Sequence, residues 1–137
     1  MAKPTPRGTS GFTLLEIVIV IVLLGIVSAV VVAKYKELRK EAATVGADSV
    51  FKAAQTTVAR HFSKKLMGAA SDNITTCSDL VAVMAEDPTS AGWTCNGNEL
   101  SATIGGHVFT IRIENPETAS SRAELCCTWA SPNCPGC

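Results

Sequence analysis

Gly11-Phe12-Thr13-Leu14-Leu15-Glu16-Ile17-Val18-Ile19-Val20 opens an apolar run that continues to Ala33, and this run decides the fold. Its 22 residues, 12–33, hold a single charge, Glu16. At roughly 1.5 Å per residue a helix over them is about 33 Å long, enough to cross the hydrocarbon of a bilayer. That length argues against a cytosolic globular protein. It also exceeds the roughly 7–15 apolar residues of an ordinary secretory signal. A carboxylate inside such a span costs about 2.5–3.5 kcal/mol at a helix centre on insertion scales, so Glu16 marks a site that calls for a partner.

Outward from this run, the 137 residues allow one modest domain plus an appendage. Twelve basic and twelve acidic side chains balance, which speaks against a general nucleic-acid binder. An apolar share of 47% against 18% charged excludes a disordered chain. All six cysteines, Cys77, Cys95, Cys126, Cys127, Cys134 and Cys137, lie beyond the apolar run. An even number behind an N-terminal apolar segment points to export and an oxidising compartment. The charge is bipolar. Residues 34–65 carry eight basic and three acidic side chains, and residues 66–137 carry two basic and eight acidic. Such a chain can meet copies of itself through opposite charges.

The hexapeptide Gly11-Phe12-Thr13-Leu14-Leu15-Glu16 and the run behind it resemble the processing site of type IV prepilins and of the pseudopilins of type II secretion. The resemblance covers residues 11–35 well, with Gly25 and Tyr35 at familiar positions, and the rest of the helix loosely. It implies cleavage between Gly11 and Phe12 by a membrane aspartyl peptidase, which then methylates the Phe12 amine. It implies that Glu16 pairs with the N-terminal amine of a neighbouring subunit. It implies a precursor in the bacterial inner membrane, its assembly machinery, and a homo-oligomeric helical filament. That filament is an extracellular pilus (fimbrium) or a periplasmic pseudopilus. Removal of residues 1–11 places the new amine four residues from Glu16. Paired in a low-dielectric filament core, the two charges attract far more strongly than in water. Many members of the family carry proline where this chain has Ala33, so a straighter helix is expected there.

Residues 34–66 read as a continuation of the same helix. Tyr35, Leu38, Ala42 and Val45, then Phe51, Ala54, Val58, Phe62 and Leu66, make an apolar stripe at helical spacing. Lys64 and Lys65 suit the last turn and Gly68 a C-cap. A helix over residues 12–66 would be roughly 80 Å long, more than a small core can bury. A short helix is expected over residues 78–85, capped by Thr76 or Ser78, and then a loop holding Trp93 and Cys95. Gly105-Gly106 between two alternating runs predicts a hairpin over residues 99–114, with Ile104 opposite His107. This register puts Leu100, Ala102, Ile104, His107, Phe109, Ile111 and Ile113 on one face. Residues 125–129 suggest a third strand with Leu125, Cys127 and Trp129 inward. The fold class is therefore α+β: a rod-and-head arrangement with residues 1–11 as leader and 12–33 as transmembrane and filament-core helix. Residues 34–66 form its amphipathic continuation, and 67–137 a cysteine-rich head.

Candidate chemistry is sparse. Cys134-Pro135-Gly136-Cys137 has the spacing of a redox motif but lacks a βαβ setting, so structural disulfides are expected. The expected pairs are Cys77 with Cys95, and Cys126 and Cys127 each with one of Cys134 and Cys137. A four-thiolate zinc site is the weaker alternative, and no metal or cofactor is expected. His61 and His107 have no acidic or histidine neighbour at ligand spacing, so His61 reads as a helix-surface residue. Arg60, His61, Lys64 and Lys65 form a basic patch, and DNA is a weak candidate for it. No nucleophile–base set, phosphate loop or acid pair argues for an enzyme. The leading function is the major structural subunit of a type IV pilus, with a minor pilin or pseudopilin next. Adhesion, motility and DNA uptake stay open. A secreted cysteine-rich domain cut after Val31-Val32-Ala33 is an alternative from a different class. A membrane-anchored redox protein using Cys134 and Cys137 is another.

Overall fold

The computed structural model describes residues 11–137, so residues 1–10 of the expected leader lie outside the described residues. The chain divides into two units, one ending at Leu38 and the other running Arg39–Cys137. Helix α1, Leu14–Leu66, begins in the first unit and ends in the second. In the first unit it is long and apolar enough to cross a membrane, and its apolar window is wholly unburied. The helix passes Gly25 and Ala33 without a break. Residues 14–33 hold no proline, so no amide donor is missing along the run and the helix ladder continues through it.

In the second unit the C-terminal half of α1 packs on a four-stranded antiparallel sheet. The strands are β1 (Thr94–Asn96), β2 (Glu99–Ile104), β3 (His107–Asn115) and β4 (Glu124–Cys127), in the order β1-β2-β3-β4. Helix α2, Cys77–Val83, and a 3₁₀ turn at Pro88–Ala91 lead from α1 into the sheet. The β2–β3 hairpin has the predicted register: Ile104 faces His107, Ala102 faces Phe109 and Leu100 faces Ile111. Gly105 and Gly106 have φ of +60° and +84°, the left-handed pair that a two-residue turn needs to match the strand twist. Alternation then buries Leu100, Ala102, Phe109, Ile111 and Ile113. His107, at the hairpin end, is exposed. The strand β1 replaces the expected loop around Cys95 and pairs Cys95 with Leu100.

The face that α1 turns to the sheet keeps Phe51, Ala54 and Val58 of the expected stripe and departs from it elsewhere. Ala43, Ala47, Phe51, Ala54, Val58 and His61 are buried, at steps of three and four. Tyr35, Leu38, Val45 and Leu66, expected in the stripe, are 55–68% exposed. The reason is steric. Alanine at 43 and 47 lets Trp93 and Phe109 lie close to the helix, and the bulkier residues fall on other faces. Phe51 sits 6.0 Å from Trp129 in an edge-to-face pair, and Trp129 makes a second with Phe109 at 5.5 Å. A second cluster joins Ala54, Val58, Ile74, Leu80, Ile113 and Ala123. Helix α1 stops at a Schellman turn: Ala69 N–H donates to Lys64 O at 2.8 Å and Gly68 N–H to Lys65 O at 2.9 Å, with Gly68 at φ +73°.

Phe51→Ala should therefore destabilise the head by about 3–5 kcal/mol. Leu66→Ala should change stability by no more than about 0.5 kcal/mol. Thermal unfolding of the full chain in detergent, followed by near-ultraviolet circular dichroism, separates the two. Equal losses would mean that the sheet packs on the other face.

Candidate functional site

Two regions carry the chemistry: the first turn of α1 and the closure of the head. In the first turn, Thr13 is the N-cap. Its Oγ1 accepts Glu16 N–H at 3.3 Å and its carbonyl accepts Ile17 N–H at 3.3 Å. Glu16 is thus the third helical residue, so Thr13-Leu14-Leu15-Glu16 has the spacing of a capping box, with the threonine half formed. The cap also explains why α1 begins at Leu14 rather than at residue 12. Glu16 is the acidic side chain of the first turn, at the positive end of the helix dipole. Gly11 and Phe12 precede the cap in non-helical backbone and are exposed. Backbone of that kind is open to an enzyme that must reach a peptide bond. Among the described residues Glu16 has no side-chain partner, and the apolar residues around it are exposed. Leu14 is 83% exposed and Phe12 is 76%.

The head is closed by sulfur and by two polar knots, one half-buried and one buried. Cys77 is bonded to Cys95, Cys126 to Cys137 and Cys127 to Cys134, with Cα separations of 5.6, 4.9 and 5.6 Å. No cysteine is free. The four sulfurs weighed for zinc or redox exchange are thus bonded to one another. The first bridge ties α2 to β1, and the other two fold the C-terminal tail back on β4. Each bridge limits the unfolded chain by an amount on the order of 2–3 kcal/mol, which matters for a core this small.

The first knot is Asp48 on α1. Its carboxylate accepts Trp129 Nε1–H at 2.7 Å, Ser131 Oγ–H at 2.6 Å and Asn133 Nδ2–H at 3.1 Å. Burial pushes its pKa up. The hydrogen bonds from Ser131, Trp129 and Asn133, with Lys52 nearby, outweigh that and hold it below the ordinary carboxylate value. Asp48 therefore pins the disulfide-closed tail to the helix. The second knot corrects the expectation for His61. This side chain is buried, and its Nδ1 lies 3.0 Å from Glu117 Oε2, which also accepts Ile74 N–H at 2.9 Å. Glu117 N–H donates to Ile74 O at 2.9 Å, and the other carboxylate oxygen, Oε1, is buried without a partner. The basic patch expected around His61 is largely taken up by packing. Arg60 donates to Val83 O at 3.2 Å, and Lys65 donates to Thr118 O at 3.0 Å and to Asn73 Oδ1. At α2, Thr76 is the N-cap and forms a full capping box with Asp79. Hydrogen bonds from Thr75 and Thr76 lower the Asp79 pKa to about 2.

Two signals mark residues beyond those singled out from the sequence. The Thr13–Glu16 cap has a sequence signature, threonine three residues before glutamate. The His61–Glu117 pair has none, because 56 residues separate its members. Among the described residues, no group of three or more His, Cys, Asp or Glu is arranged to hold a metal ion.

A membrane-length N-terminal helix that leads into a disulfide-stapled α+β head, with a capped glutamate one turn from a Gly-Phe bond, defines a class of protein with a helix fit for membrane anchoring. Residues 6–32 match the family model for the prokaryotic N-terminal methylation motif, which is the type IV prepilin signature. The chain thus bears the mark of the type IV pilins and pseudopilins at its N-terminal end. No curated protein and no solved structure matches the chain.

Glu117→Ala leaves Ile74 N–H and His61 without their buried acceptor. The Ile74 amide alone should account for about 1–3 kcal/mol of lost stability. Lys64→Ala, on the same helix end, should change stability by less than about 0.5 kcal/mol. Denaturant unfolding of both variants against the parent chain checks the contrast, and equal effects would contradict the buried pair.

Proposed function

We propose that this chain is a structural subunit of a type IV pilus, made as a precursor and assembled into a helical filament through its N-terminal helix. The observation that carries the proposal is the first turn of α1, where the methylation motif coincides with a lone carboxylate on an exposed apolar helix. Residues 1–11 are the leader, cut off between Gly11 and Phe12 by a prepilin peptidase that then methylates the Phe12 amine. Residues 12–33 hold the mature subunit in the inner membrane. Residues 34–66 continue that helix into the head, and residues 67–137 complete it.

Assembly follows from the energetics of this helix. In the bilayer, lipid tails are as apolar as valine and leucine, so leaving lipid for a bundle of helices brings little hydrophobic gain. Close packing and polar pairing must supply the difference. The Phe12 amine of one subunit against the Glu16 carboxylate of another neutralises both charges where the dielectric is low. An unmatched Glu16 would remain a buried charge, which is strongly disfavoured. The pair therefore sets the axial register between subunits. The capped first turn holds Glu16 at a fixed place relative to the cleaved end. The disulfides keep the small head folded once it is outside the cell.

Glu16→Ala should leave peptidase processing intact and reduce sheared surface filaments at least tenfold, the effect of about 1.4 kcal/mol per subunit addition. Filament yield by shearing and the N-terminal residue of the membrane pool check both parts. Undiminished filaments would remove Glu16 from register setting. Abundance of this chain in parent filaments separates a major subunit from a minor one.

A further inference from the structure

A groove runs beside α1 within the C-terminal unit. Its floor is formed by Ser49, Ala53 and Thr56, and its wall by Met84, Glu86 and Asp87. Two adjoining hollows of about 570 and 310 Å³ make it up, and they share Ala53, Met84 and Glu86. The floor lies on a different face of α1 from the sheet-packing residues. Ser49, Ala53 and Thr56 are exposed, whereas Ala47, Phe51 and Ala54 are buried. Small side chains on the floor let another backbone approach closely, and Met84 offers an adaptable apolar wall. The rim is acidic. Asp87 accepts Thr89 N–H at 2.9 Å and Thr89 Oγ1–H at 2.7 Å, which fixes its place at the start of the 3₁₀ turn. Glu86 is exposed, and among the described residues no hydrogen bond or ion pair engages it. At the other end Arg60 is tied to the Val83 carbonyl.

The charge balance of the chain says what fits there. Residues 66–137 carry eight acidic and two basic side chains, while residues 34–65 carry eight basic and three acidic. Lys40 is an exposed cation of that basic helix segment, and among the described residues its side chain has no hydrogen-bond partner. We propose that the groove receives the basic segment of α1 from a second copy of this chain, with Lys40 of that copy against Glu86 and Asp87. The proposal rests on the pilus-subunit function above and adds a second contact to the Glu16 pair. Glu86 shares its hollow with Thr56. Lys40 lies sixteen residues before Thr56, so parallel copies would be staggered by about 24 Å along α1. Opposite charges at this spacing select the stagger, because a copy at equal height would set like-charged segments side by side.

The test uses the full chain in cells. A photoreactive residue in place of Ala85, which lines the groove and is exposed, should crosslink to a second copy within residues 34–41, as read by mass spectrometry of the joined peptide. Glu86→Lys should lower that crosslink roughly fivefold, and adding Lys40→Glu should restore most of it. Crosslinking to lipid, to a different protein or to another segment of the chain would overturn the proposal. So would absence of any crosslink, or a charge reversal without effect. The N-terminal residue of the same sample separates this outcome from the fate of the pilus function. A methylated Phe12 without the 34–41 crosslink overturns the groove alone. An N-terminus at Lys34 overturns the pilus function, and the crosslink then decides the groove by itself.

Discussion

A single carboxylate in an otherwise apolar span is the constraint on which the rest of this protein turns. Glu16 costs a few kcal/mol in lipid unless it finds a positive partner. The proposed cleavage would supply one, the Phe12 amine, which lies before the helix and four residues from Glu16. In the proposed filament the partner is the amine of another subunit, and the pairing becomes a device for assembly. Thr13 contributes by fixing where the helix begins. Without the cap, the first turn would fray and the amine and carboxylate would lose their defined offset.

The head meets a different demand. It has to stay folded with a core of modest size. Two apolar clusters, three disulfides and the Asp48 and Glu117 knots share the task. The knots are complementary in place. Asp48 binds the tail that follows β4, near the aromatic cluster of Phe51, Phe109 and Trp129. Glu117, in the segment before β4, binds His61 on α1 and Ile74 in the segment that follows α1. Each carboxylate, half-buried at Asp48 and buried at Glu117, gathers donors from segments distant in sequence, so each holds loop backbone that has no ladder of its own.

Much of this was legible in the chain, for reasons particular to each element. The apolar span and Glu16 stand out because a membrane imposes a length and excludes charge. The β2–β3 register was readable because Gly105-Gly106 admits few turns and the flanking residues alternate strictly. Other features were not. Large apolar residues drew the expected stripe along Tyr35, Leu38, Val45 and Leu66, but close approach of the aromatic cluster selected the small Ala43 and Ala47 instead. The strand β1 has three residues and little periodicity to show. His61 looked like a surface cation because its acidic partner comes from a loop 56 residues away. Contacts of that separation leave no trace in local spacing. The Thr13 cap did leave a trace, in the Thr-x-x-Glu spacing, hidden by the apolar residues around it.

The most direct measurement is the N-terminal residue and intact mass of the exported protein. The account predicts an N-methylated Phe12 at the start of a 126-residue chain, with the mass lowered by about 2 Da for each of three disulfides. A chain beginning at Lys34 would contradict it, because the helix that carries Glu16 would then be gone from the mature protein.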